Sequence, residues 1–272
     1  MNHESRITNQ NGGKTEERIL EVAQEAARKA GEVLLPYFEL SGLEREVKDD
    51  KSFVTRADLE AEAGILKTIK AKFPSHAILA EESGEAKTTS PYQWIIDPLD
   101  GTANFLNGIP IFGVSIGVYK NGEPFAAAVC NPVTREMFSA SKGRGTFFNG
   151  KKVAVSNQEA AKGLVTFGIS KDVADRERFT KAFVGLEKVF NKRRHLGATA
   201  LEMAYIARGG IEATVSFGSK LWDHAAGAVL ILEAGGKITD FAGSPWKLGQ
   251  TYFVASNGVS HEALLKVIKK VF

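Results

Sequence analysis

The stretch WIIDPLDGTANF, residues 94–105, places Asp97 and Asp100 three positions apart at the end of an apolar run. Pro98 removes a backbone donor and ends the strand, so both carboxylates can be aimed at one point beyond it, where α/β folds bind ligands. Two like charges held that close repel unless a cation lies between them or one stays protonated. A hard divalent ion with oxygen ligands, Mg²⁺ above all, meets that need. The bland alternative is an Asx turn with no ligand.

Further acidic sites follow the same grammar. LAEES sets Glu81 and Glu82 directly after an apolar strand, LWDHAAG sets Asp223 at the start of an apolar helix, and SFVTRAD sets Thr55 and Asp58 at a strand-to-helix junction. Taken singly, Asp58 and Asp223 read equally well as helix caps, and Glu82 as a solvated side chain. Together they favour metal binding, because a purely structural chain has no reason to end so many apolar segments in carboxylate. A helix over TANFLNG would turn its first N–H groups, at Gly101 and Thr102, towards the same point, and a helix N-terminus is a ready anion site. Metal carboxylates beside an anion-binding turn suit a phosphate, hence phosphoryl transfer to metal-activated water with no covalent intermediate. Phospho-aspartate phosphatases also read D…DGT, but there one residue separates the aspartates, whereas these stand three apart. The histidines (3, 76, 195, 224 and 261) show no zinc spacing. On a helix, His224 would project about 100° away from Asp223.

The elements that must position these groups are legible as periodicity. TEERILEVAQEAARKAGEVLL repeats apolar residues at helical spacing from an N-cap at Thr15, and ADLEAEAGILKTIKAKF predicts a second helix ending before Pro74. Strands are predicted at HAILA and QWIID. FGVSIGVYKNGEPFAAAVCNP reads as a hairpin turning on Asn121-Gly122, and a second turn of that type is set by Asn149-Gly150. After about residue 160 strands and helices alternate: LVTFGIS, DRERFTKAFVGLEKVF, ATALEMAYIARGG, IEATVSF, DHAAGAVLILEAGG and KITDF. The expected organisation is a disordered tail over 1–14, an α+β metal-binding lobe over 15–158 and an α/β lobe over 159–272, in one body.

Composition narrows the function classes. The chain has 272 residues, 43% hydrophobic and 25% charged with a net charge of +3, an ordinary globular balance without a basic stripe, so a nucleic-acid partner is not expected. No apolar run approaches the roughly 20 residues of a membrane span, and the polar N-terminus is no secretory signal. The single Cys130 sits in FAAAVC as a small buried hydrophobe, which suits a reducing cytoplasm.

WIIDPLDGTANF, EES and WDHAAGAVLILEAGG resemble the signatures of the inositol monophosphatase family of Mg²⁺-dependent, lithium-sensitive phosphatases. The likeness runs from about residue 15 to the end. It implies a layered αβαβα sandwich of the inositol monophosphatase/fructose-1,6-bisphosphatase type, an α+β fold, and a homodimer. It further implies that Glu81, Asp97 and the Leu99 carbonyl hold a first metal and that Asp97, Asp100 and Asp223 hold a second, which stabilises the leaving alkoxide. Glu81 would help a third ion through water. Thr102 paired with Asp58 would orient and deprotonate the attacking water, with Glu81 as a further catalytic carboxylate, and the Gly101 and Thr102 N–H groups would hold phosphate. Substrate contacts would come from Gly101, Thr102, Ala198, Ser216 and Asp223.

Departures from the family pattern bear on the substrate. Ser216 stands where inositol-hydrolysing members carry a Glu, Ala80 replaces the usual Gly before the Glu pair, and Ala198-Thr199 replaces a small hydroxyl residue followed by Ala. Arg194 matches a basic position whose bland role is a structural ion pair. The expected function is thus a phosphomonoesterase for a small polyol or sugar phosphate, inositol 1-phosphate first. Fructose 1,6-bisphosphate, histidinol phosphate and a nucleotide 3′-phosphate are alternatives within the class. A regulatory protein of RNA polymerase or ribosome assembly on the same scaffold is the alternative of another class.

Overall fold

The protein is described here by a computed structural model, over residues 4–38, 45–47 and 53–272. A long helix α1 (Glu4–Phe38) leads to a small pair, β1 (Arg45–Val47) with β2 (Phe53–Thr55), and then to α2 (Arg56–Lys72). An eight-stranded sheet follows, from β3 (Ala77–Ala80), β4 (Gly84–Ala86), β5 (Tyr92–Asp100), β6 (Gly113–Lys120), β7 (Glu123–Asn131), β8 (Glu136–Ser141), β9 (Gly145–Phe148) and β10 (Lys151–Val153). Its spatial order is β10-β9-β8-β7-β6-β5-β3-β4, antiparallel except where β3 runs parallel to β5. The short helix α3 (Thr102–Leu106) leaves the end of β5.

A five-stranded sheet, ordered β12-β11-β13-β15-β14, is built from β11 (Leu164–Ile169), β12 (Lys192–Arg194), β13 (Ala213–Phe217), β14 (Lys237–Thr239) and β15 (Tyr252–Ser256). Its helices are α4 (Val173–Glu187), α5 (Thr199–Ala207), α6 (Leu221–Glu233) and α7 (His261–Ile268). Strand alternation decides the layering. Trp94 and Ile96 face α1 and α2, whereas Ile95 faces α5 and α6, which in turn touch Phe253 and Ala255 of the smaller sheet. The far face of that sheet, with Val165, Val215 and Val254, packs on α4 and α7. The stack is therefore αβαβα, an α+β architecture as expected.

Several local expectations change. α1 starts at Glu4, ahead of the expected N-cap at Thr15. α6 begins at Leu221, two residues before Asp223, because the apolar LW pair already turns inward; Asp223 is the third helical residue and not the N-cap. The inner strand β15, the edge strand β12 and helix α7 were not foreseen. Both NG turns form, with Asn121 at φ 53° and Asn149 at φ 47°, the left-handed region such tight turns require. Among the described residues no helix is long and apolar enough to cross a membrane.

Candidate functional site

The end of β5 is bulged. Asp97 lies opposite Ser115 and Asp100 opposite Gly113, so β5 carries one extra residue against β6. A bulge re-aims side chains, and here it lets two aspartates three apart face one side of the strand end. Asp97 is buried, and its Oδ1 accepts the Leu99 N–H at 2.9 Å. The Asx turn therefore exists, and it engages only one carboxylate oxygen. Asp100 is also buried and reaches another layer: Oδ1 accepts the Thr199 N–H at 3.0 Å and Oδ2 the Ala200 N–H at 2.8 Å. The residue before α5, Ala198, has no capping oxygen, so Asp100 does that work from 99 and 100 residues away.

Gly101 makes the turn that follows. Its φ is +90°, and a Cβ there would meet the Ile111 carbonyl oxygen at 2.9 Å and Ala198 Cβ at 3.1 Å. Gly101→Ala is expected to be less stable by about 1–2 kcal/mol, a Tm lower by roughly 2–8 °C at this chain length. Thermal unfolding checks it, and an unchanged Tm would mean the turn carries no such constraint.

Glu81 follows β3 and is half-buried, its N–H donating to the Ile96 carbonyl at 3.1 Å. Its turn is held from below by Glu62 on α2, whose carboxylate accepts the Glu82 N–H at 2.9 Å and the Ser83 N–H at 2.8 Å. Glu62 was missed, although a buried acid one helical turn after Asp58 in an otherwise apolar stripe was the available signal. Asp58 accepts both the Thr55 N–H at 2.8 Å and the Thr55 hydroxyl at 2.6 Å, a capping box on α2. Asp223, half-buried, accepts the Lys220 N–H at 2.8 Å.

These carboxylates feel one another. Burial first, then the charges of Glu81, Asp100 and Asp223, hold the Asp97 carboxyl well above the usual carboxylate range. Burial, then Asp223, does the same to Asp100, opposed by the α5 amides. Burial pushes Asp223 up to about 7, against the Lys220 amide and with Glu81 adding. Asp58 is raised to about 6, again by burial first, with Glu81 a further cause. Glu81 is thus the neighbour that Asp58, Asp97 and Asp223 share. Among the described residues, however, no three acidic or imidazole groups converge closely enough to enclose an ion as they stand. Asp97, Asp100 and Asp223 are each turned to backbone N–H groups instead.

Other expected site residues are placed differently. The Thr102 hydroxyl donates to the Leu99 carbonyl at 3.1 Å and not to Asp58, whose Oδ2 is engaged by Thr55. Ser216 is buried, with its hydroxyl 3.0 Å from the Thr251 carbonyl and 2.9 Å from the Ser219 hydroxyl; a short side chain makes local bonds and does not reach the cleft. Ala198 is likewise buried, against Gly101. Arg194 donates to the Arg193 carbonyl at 2.7 Å where an ion pair was the bland expectation. Cys130 is buried as expected, its thiol 3.2 Å from the Ala27 carbonyl and pushed up to about 12 by burial.

A cleft of about 730 Å³ opens beside the carboxylates. Glu81, Thr199 and Asp223 line one end, and the Gly168–Val173 and Gly218–Lys220 loops, with Trp222 and Tyr252, form its walls. Two polar residues that sequence reasoning missed support it. Glu202, raised to about 7 by burial, accepts the Leu196 N–H at 2.9 Å, and Asn104 donates to the Ile111 and Leu196 carbonyls, each at 2.7 Å. Together they fix the segment that delivers the α5 N-terminus to Asp100. A carboxylate inside the apolar run ALEMA was the signal for Glu202.

Comparison with known proteins places this geometry. The sequence model of the inositol monophosphatase family matches residues 15–271. The chain is 38% identical over 259 residues to the Nus factor SuhB of Pseudomonas aeruginosa, covering 92% of this chain and 96% of the relative. It is 36% identical over 256 residues to the fructose-1,6-bisphosphatase/inositol-1-monophosphatase of Aquifex aeolicus, covering 93% and 96%. Among solved structures, the IMPase of Thermotoga maritima superposes with a TM-score of 0.85 at 34% identity, over 93% of this chain and 98% of that one. The extragenic suppressor protein suhB of Bartonella henselae gives 0.89 at 31%, over 93% and 99%.

Proposed function

This chain belongs to the inositol monophosphatase family, and on that premise we propose that it is a Mg²⁺-dependent phosphomonoesterase acting on a small polyol or sugar phosphate, inositol 1-phosphate first. One observation carries the reading: buried, mutually repelling carboxylates at the end of β5 stand beside a cleft that their neighbours Glu81 and Asp223 line. The donor set fits a hard divalent cation. It is all oxygen, and the leading charges acting on Asp97 and Asp100 are other carboxylates, so a cation would relieve what burial and repulsion now oppose. Glu81, Asp97, the Leu99 carbonyl, Asp100 and Asp223 would hold two to three Mg²⁺ ions. Bound there, the ions would lower the pKa of water and neutralise charge on phosphate oxygens.

The remaining work falls to the chain. Asp58, at about 6, is mostly ionised near neutral pH and can accept a proton; Thr102 and Glu81 complete the set that orients the attacking water in this reading. The Gly101 and Thr102 N–H groups would hold the phosphate. Thr199, on the wall of the cleft, is a better candidate than the buried Ala198 or Ser216 for contact with the alcohol part of the substrate.

The test is phosphate release from inositol 1-phosphate, fructose 1,6-bisphosphate, histidinol phosphate and 3′-phosphoadenosine 5′-phosphate, each with Mg²⁺ and with EDTA. One substrate well above the rest, and only with Mg²⁺, is the expected result. No release from any of them with Mg²⁺ bound would overturn these four substrates and leave an untested phosphate ester or the binding-protein reading, which pull-downs then test. A second reading, a regulatory binding protein on this scaffold, is favoured by the name Nus factor SuhB that several relatives carry. The homodimer belongs to the first reading, and light scattering tests it.

A further inference from the structure

His224 follows Asp223 in α6 and is fully buried, with Trp246 edge-on at 5.6 Å and Phe253 at 4.9 Å. Its Nε2 has no hydrogen-bond partner. Its Nδ1 lies 2.8 Å from the Ser219 hydroxyl, which lies 2.9 Å from that of Ser216, which lies 3.0 Å from the Thr251 carbonyl. The Ser219 N–H also points to Ser216 Oγ at 3.3 Å, and the Gly218 N–H donates to the same Thr251 carbonyl at 3.2 Å.

The order of protons in this chain follows from counting. Each hydroxyl has one proton to give, and a carbonyl can only accept. One order fills all three contacts: Ser216 gives its proton to the Thr251 carbonyl, Ser219 gives its proton to Ser216, and Ser219 Oγ accepts from Nδ1. Nε2 is then a bare acceptor among aromatic rings, and an unpaired acceptor is better tolerated than an unpaired N–H.

We propose that His224 is a positioning residue: its Nδ1–H starts a one-way hydrogen-bond chain through Ser219 and Ser216 to Thr251 that fixes the Gly218–Lys220 loop. That loop does two things for the site. It forms a wall of the cleft, and it presents the Lys220 N–H that holds Asp223. The chain thus ties the start of α6 to the segment entering β15, so a metal-ligating carboxylate and a substrate-facing wall move as one piece. Its value for Asp223 rests on the metal-dependent reading given above.

The first experiment is ¹⁵N NMR of the imidazole in the wild-type protein, which does not depend on metal or substrate. The Nδ1–H tautomer is expected, and an Nε2–H tautomer would overturn the proposal. The second is Mn²⁺ binding by electron paramagnetic resonance, with KM and kcat, for His224→Phe and His224→Asn. His224→Phe should weaken Mn²⁺ binding by about tenfold and raise KM. His224→Asn, whose side-chain N–H can stand in for Nδ1–H, should restore most of both. A His224→Phe protein that binds Mn²⁺ as the wild type does, with only a lower Tm, would overturn the proposal, and so would an Asn variant no better than Phe. If His224→Phe does not fold, Ser219→Ala breaks the chain at its middle and should weaken binding in the same direction; unchanged binding would overturn it. A wild type that binds no Mn²⁺ would sink the metal-dependent reading, and the tautomer would then decide the proposal alone.

Discussion

Asp97→Asn is expected to lower phosphate release at least about a hundredfold while leaving the fold intact. The two effects separate because the carboxylate is costly to the fold on its own. It is buried and repelled by Glu81, Asp100 and Asp223, so removing its charge lifts a penalty. Its one structural bond, the acceptor at 2.9 Å for the Leu99 N–H, is kept by the asparagine oxygen. In EDTA, Tm should therefore hold or rise. Full turnover in the variant would remove Asp97 from the site, and a falling Tm would contradict the account of its environment. The same variant separates the two readings of function. If the cellular role persists in cells carrying the inactive protein, binding and not hydrolysis is what that role uses.

The stabilisation given by Mg²⁺ should grow as pH rises from 5 to 8. Asp58 is raised to about 6, Asp223 to about 7, and Asp97 and Asp100 well above the ordinary carboxylate range. For a raised carboxyl, the folded state holds a proton that the unfolded chain releases. Its contribution is complete below the unfolded value and is lost as pH climbs through the folded one. In EDTA the protein should thus lose up to about 1.4 kcal/mol per pH unit for a single group still holding its proton, roughly 3–6 °C of Tm, with the coupled carboxyls releasing theirs in turn. Buried His224, lowered to about 3, and His261, lowered to about 4, act oppositely by costing stability on the acid side. Their effect is the same with and without metal, so the difference in Tm between Mg²⁺ and EDTA isolates the carboxylates. A difference that stayed flat or shrank towards pH 8 would mean that these groups do not meet a cation.

What the sequence made legible was the chemistry held in local patterns. Asp97, Asp100 and Gly101 could be read because an apolar strand, a proline and a glycine turn sit side by side, and residue type alone announces a crowded charge. Periodicity gave the run of helices and strands, and the resemblance to the family gave their αβαβα layering. Partners far apart in the chain could not be read. That Asp100 faces the α5 amides, or that Glu62 carries the Glu81 turn, depends on how layers meet. Ser216 and Ala198 were placed by motif on the alcohol side, yet position in a motif does not say which way a short side chain bonds. Strand β12 reads KRR, with no apolar signal because it is an exposed edge, and edges favour charge. The start of α6 slipped by two residues for the opposite reason: an apolar LW pair hides a helix's first turn.

The Asp100 contact has a consequence in time. β5 leaves the ribosome about a hundred residues ahead of the Thr199 and Ala200 amides that its last carboxylate needs, and non-local contacts of this span form late. Until then the growing chain holds closely spaced aspartates with neither the α5 amides nor Asp223 beside them. The site cannot be inherited from a folded first half. It is completed only when α5 and α6 dock against the large sheet, so on the metal-dependent reading a half-made chain would lack a working centre, and metal affinity would measure how far the protein has folded.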